Sequence, residues 1–84
     1  MNLVEVFVEE NCGACEAVLK ILEGISVELS FTKKIFRREN DGEEFHSRGV
    51  VIVPATFINR KLAFYGEFSR RDFGYHFERY GTKS

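Results

Sequence analysis

Cys12 and Cys15 are the only two cysteines of the chain, and they stand three apart in Cys12-Gly13-Ala14-Cys15. A bridge between them would close a loop too small to stabilise a fold by chain entropy. The pair therefore points to chemistry. A dithiol of this kind can attack a foreign disulfide, form a mixed disulfide and then close on itself. Position 12 falls where an apolar strand hands over to a helix. Free backbone N–H groups and the positive end of the helix dipole favour a thiolate there. Such sites lower a thiol pKa from about 8.5 into the range of roughly 3.5–7.5. Position 15 belongs to the apolar stripe of the same helix, so its thiol faces inward and suits the resolving role. A spacing of three on a helix keeps both sulfurs within bonding reach.

Pro54 is the only proline. It separates the apolar run Val50–Val53 from Ala55-Thr56-Phe57-Ile58, which has the composition of a strand. Proline is tolerated where it opens a strand from a tight turn, and cis peptide bonds belong to such places. A trans proline starting an edge strand fits the position equally well.

The elements that must hold these residues follow from periodicity. Leu3-Val4-Glu5-Val6-Phe7-Val8 reads as a buried strand. Cys15, Val18, Leu19 and Leu22 repeat with helical spacing, and Gly24 is a natural stop. Val27, Leu29 and Phe31 alternate with Glu28, Ser30 and Thr32, which predicts a second strand. A short helix near 42–48 has Phe45 as its one apolar anchor and ends at Gly49. Strand 55–58, a turn at Asn59-Arg60-Lys61 and strand 62–65 make a hairpin. Ser69 caps a last helix on which Phe73, Phe77 and Tyr80 share a face, and Gly81 ends it. Gly74 weakens that helix by about 1 kcal/mol relative to Ala. The predicted order is β-α-β-(α)-β-β-α. It forms a four-stranded mixed α/β sheet flanked by helices, in a single domain over residues 1–84.

Composition narrows the function. The chain has 84 residues, 44% hydrophobic, with nine phenylalanines, enough for one core without staples. A net charge of -1 gives no long-range attraction to nucleic acid. No stretch has the roughly 20 apolar residues needed to cross a bilayer. Residues 1–8 lack a secretory pattern, so the expectation is a cytoplasmic monomer in a reducing setting.

In three features taken in order, the chain resembles the thioredoxin superfamily. These are Cys12-Gly13-Ala14-Cys15 after the first strand, Val53-Pro54-Ala55-Thr56-Phe57-Ile58-Asn59 in the place of the cis-proline strand, and Gly66-Glu67-Phe68-Ser69 before the last helix. The likeness spans about residues 3–80 and implies the thioredoxin fold. It implies a protein-disulfide oxidoreductase with Cys12, Cys15 and Pro54 as catalytic residues. It places Val53, Gly13, Ala14 and Gly66 against substrate, with the backbone of Val53 pairing to an extended substrate segment. No bound cofactor is implied beyond the redox-active Cys12–Cys15 disulfide. Its partners would be disulfide-containing proteins, with reducing equivalents from a thioredoxin reductase-like enzyme or a low-molecular-weight thiol. The sequence also departs from better-known members. No proline stands between the cysteines, Asn11 replaces a Trp, and Val6 stands where thioredoxins carry a buried Asp. Tyr65-Gly66-Glu67 replaces the paired glycines by which glutaredoxins hold glutathione, which counts against glutathione use.

Two competing readings remain. Asn11-Cys12-Gly13-Ala14-Cys15-Glu16 before an amphipathic helix also resembles the heavy-metal-associated domain, whose thiolates carry Cu(I) as cargo. Those domains usually have Met where Glu10 stands, and they do not need Val53-Pro54. A thioredoxin-fold adaptor without turnover ranks lower, because both cysteines are present. Glu9 and Glu10 read as a solvated acidic turn, the alternative being a proton relay to or from Cys15; both would oppose a thiolate at Cys12 by like charge. Lys33, Lys34, Arg37 and Arg38 read as a solvated edge, the alternative being a docking patch for an acidic partner. His46 reads as exposed, His76 as part-buried, and the aromatic series from Phe64 to Tyr80 as core packing.

Overall fold

A computed structural model describes residues 2–81. Its elements are β1 (Leu3–Val8), α1 (Gly13–Ile25), β2 (Thr32–Arg37), α2 (Gly42–Ser47), β3 (Ala55–Ile58), β4 (Lys61–Tyr65) and α3 (Arg70–Tyr80). The sheet order is β2-β1-β3-β4. β1 runs parallel to β2 and antiparallel to β3, and β3 and β4 are antiparallel.

β1 is a central strand covered on both faces, which is why it is nearly all apolar. Alternate residues point opposite ways. Val4, Val6 and Val8 join Cys15, Val18, Leu22 and Ile25 of α1 and Phe73 of α3 in the larger core cluster. Phe7 faces the other side, in a smaller cluster with Phe45 of α2, Val50, Ala55 and Phe57. The Phe7 ring stacks on Phe36 at 4.8 Å and meets Phe45 and Phe57 edge-on at 5.0 and 5.4 Å. Burying a side chain of this size contributes about 1.5–3 kcal/mol.

The second strand lies later than the alternation at 27–32 predicts. α1 runs to Ile25, and the N–H groups of Glu28 and Leu29 donate to the Ile25 carbonyl in a loop, each at 2.9 Å. Leu29 and Phe31 pack on the core from that loop, while Val27 is 86% exposed. A loop that presses two apolar residues inward imitates a two-residue period. The true β2 reads Thr-Lys-Lys-Ile-Phe-Arg and is mostly exposed, because it is an edge strand. Lysines at an edge oppose pairing with other chains.

The remaining predicted elements are present. Gly49 follows α2 at φ +67°, a conformation glycine adopts without steric cost. Asn59 and Arg60 both have positive φ and form a two-residue hairpin turn. The Asn59 side chain donates to the Tyr80 carbonyl and accepts from the Leu3 N–H, at 2.9 and 2.8 Å, tying the hairpin to α3 and β1. Ser69 caps α3 by accepting from the Asp72 N–H at 3.0 Å. No helix among the described residues is long and apolar enough to cross a membrane.

Candidate redox site

β1 ends at Val8, and the chain turns through Asn11, which has φ +54°. Asn tolerates this left-handed region better than most residues. The turn sets Cys12 as the N-cap of α1 in extended conformation. Its Sγ accepts the Cys15 N–H at 3.1 Å, and its carbonyl accepts the Glu16 N–H at 3.1 Å. A sulfur thus occupies the position where helices usually carry a capping oxygen. Cys12 and Cys15 are joined as a disulfide, with Cα atoms 5.2 Å apart. Cys15 is only 2% exposed and Cys12 is half-buried. Gly13 is exposed and Ala14 half-buried, both in the first turn of α1.

The proline loop comes to the same end of the sheet. Phe7 pairs with Ala55, so Val53 and Pro54 lie just before the start of β3, level with the end of β1. The Val53–Pro54 peptide bond is cis. Pro54 is buried, and Val53 is partly buried against both core clusters. Gly66, at φ +82°, donates its N–H to the Pro54 carbonyl at 2.7 Å and so ties the end of the hairpin to this loop. Val51 and Ile52, the two residues before Val53, are 76% and 62% exposed. The apolar run 50–53 is therefore split, with Val50 in the core and its successors facing outward.

On its other flank the disulfide opens into a cleft of 280 Å³, lined by both cysteines, Glu9, Glu10, Glu16 and Arg37 among others. Glu9 is not a free solvated acid. It pairs with Arg38 at 2.7 Å. Arg38 also donates to the Val51 carbonyl at 2.7 Å, so one residue of the expected solvated edge is engaged at the site. Lys33 and Lys34 are exposed, as is His46, and His76 is half-buried beside Phe64. No group of three His, Cys, Asp or Glu side chains among the described residues could hold a metal ion.

Glu5 is a further buried polar residue, and its partner is not evident from the sequence. The residue is 2% exposed in the middle of β1 and is held by Arg48 through two hydrogen bonds. An acid at the centre of an apolar strand was the available signal, since a buried carboxylate requires a partner. Val6 points to the opposite face from Glu5, into the core with Cys15.

Comparison with known proteins agrees with this geometry. The sequence matches the thioredoxin domain family over residues 2–76. A solved structure described as chloroplastic thioredoxin z superposes with a TM-score of 0.82 at 15% identity, covering 94% of this chain and 77% of that one. At that identity the likeness speaks for the fold. A search of curated protein sequences returns no match. A matched family domain over nearly the whole chain, a four-stranded mixed sheet with three helices, and a Cys-x-x-Cys disulfide capping the first helix lead to one assignment: the chain belongs to the thioredoxin-domain family.

Proposed function

We propose that the protein reduces protein disulfides through the Cys12–Cys15 dithiol. The observation that carries this reading is the placement of Cys12 Sγ at the N-cap of α1, accepting a helix N–H, beside a Cys15 that is nearly fully buried. Hydrogen bonds and the helix dipole at that end favour the thiolate of Cys12 over the thiol. In the reduced protein the Cys12 thiolate attacks one sulfur of a substrate disulfide. A Cys12–substrate disulfide forms, and one substrate thiolate leaves. Cys15, deprotonated, then attacks Cys12 Sγ, which closes the intramolecular disulfide and expels the second substrate thiolate. Two electrons have passed to the substrate. A reductase-like partner or a small thiol returns them by reducing Cys12–Cys15, and a reducing compartment such as the cytoplasm favours this direction.

In this reading an extended substrate segment lies along the backbone of Val53, next to the exposed Val51 and Ile52, with Gly13, Ala14 and Gly66 as its other contacts. The test is insulin-disulfide reduction with dithiothreitol as reductant. Acceleration over the thiol background supports the reading, and no acceleration sinks it. Titration of the reduced protein with Cu(I) tests the cargo alternative directly. Stoichiometric tight binding without disulfide exchange would replace oxidoreduction with metal transfer.

A further inference from the structure

Arg38 joins the two loops that make the redox site. Its Nε donates to Glu9 Oε1 and its Nη2 to the Val51 carbonyl, each at 2.7 Å. Its guanidinium lies 4.9 Å from the centroid of the Phe45 ring. Its own backbone N–H donates to the Val8 carbonyl at 3.0 Å, so the side chain starts from a point anchored to the end of β1. Glu9 lies in the loop that carries Cys12, and Val51 in the loop that carries Val53–Pro54. Those loops come from opposite halves of the chain. A guanidinium is planar with fixed donor directions, so it sets both partners in one geometry. Val51 and Ile52 are exposed, and side-chain packing does little to hold their segment from outside. An exposed ion pair contributes little to stability, which leaves geometry as the role of the bridge.

We propose that Arg38 is a positioning residue for polypeptide substrates. It sets the spacing between Cys12 and the Val53–Pro54 backbone, across which an extended substrate segment must lie. It raises affinity for protein disulfides without entering the exchange itself. The inference rests on the dithiol reading above.

Three variants separate the contributions. Arg38→Met keeps an apolar stem over Phe45 and removes every side-chain donor. Arg38→Lys keeps the charge and loses the fork. Glu9→Gln removes the ion pair and leaves the Val51 bond. Each is assayed with insulin and with hydroxyethyl disulfide, which has no polypeptide to lay across the loop; far-UV circular dichroism checks the fold. Expected is a KM for insulin raised about tenfold in Arg38→Met and about threefold in the other two. The kcat for insulin and the rate with hydroxyethyl disulfide should shift by no more than about twofold. Equal losses on both disulfides, or an unchanged KM for insulin in Arg38→Met, overturn the proposal. Failure of the unaltered protein to reduce either compound overturns the exchange reading instead, so the two ideas fail separately.

Discussion

Glu5 of β1 and Arg48, which caps the end of α2, stand 43 residues apart and meet in a two-pronged ion pair with hydrogen bonds of 2.8 and 2.9 Å. Arg48 also lies over the rings of Phe57 and Phe7, at 4.5 and 5.7 Å from their centroids. Arg60 adds a more distant positive charge at 3.6 Å. The pair fastens α2 to the sheet face opposite α1. The hydrogen bonds from Arg48 hold the Glu5 carboxyl below its ordinary value of 4.5, against a burial effect that pushes it up. Arg48 is raised in turn, chiefly by its hydrogen bonds to Glu5.

This pair predicts acid sensitivity. A carboxyl with a depressed folded pKa contributes stability that is present above its unfolded value, near 4.5, and is lost as pH falls through the lower folded value. Stability should decline below about pH 4.5, and Glu5→Gln should flatten that part of the profile. Urea unfolding at a series of pH values reads both. An identical acid limb in Glu5→Gln would show that Glu5 is not the group responsible.

Breaking the pair from one side should cost more than removing both partners. Arg48→Met leaves a buried carboxylate with no hydrogen-bonded partner and only the more distant Arg60 charge, and should destabilise by about 3 kcal/mol. Glu5→Leu with Arg48→Met should recover most of that loss, since apolar replacements of a buried pair are often neutral or stabilising. Additive losses in a double-mutant cycle would contradict this account.

The two cysteines should separate by role. Cys12→Ser should abolish exchange, while Cys15→Ser should accumulate a mixed disulfide with substrate, visible by intact-mass spectrometry. Cys12 of the reduced protein should also alkylate faster at pH 7 than free cysteine. Normal turnover by Cys15→Ser would show the assigned roles to be wrong.

Phe73 is fully buried and its ring lies 5.6 Å from both Phe68 and Phe77. Phe73→Ala should cost about 3–5 kcal/mol through lost transfer energy and a cavity under α3. A thermal midpoint within a few degrees of the parent would mean that α3 contributes little to the core.

Capping of α3 should matter less. Ser69→Ala removes the acceptor of the Asp72 N–H and should cost about 1 kcal/mol. An unchanged denaturant midpoint would show that water satisfies this helix end equally well.

Local sequence determined much of this molecule. The run of Val4, Val6, Phe7 and Val8 is a buried strand in any context that offers two covers. The helical spacing of Cys15, Val18 and Leu22 places Cys15 inward and Cys12 at the helix mouth. The pattern around Asn59-Arg60 makes a hairpin, and Ser69 starts the last helix. These features depend on neighbours one turn or one pleat away, so they are written in residue order. The start of β2 was not. Val27, Leu29 and Phe31 alternate like a strand, yet the partner of β1 is the polar stretch at 32–37, because an edge strand is chosen by what it pairs with rather than by its own hydrophobicity. Tertiary structure alone decided that Arg48 would neutralise Glu5 and that Arg38 would reach both Glu9 and Val51. A long cationic side chain carries no local sign of its partner. Its bond depends on where the fold brings distant backbone, and that position exists only once the sheet has closed.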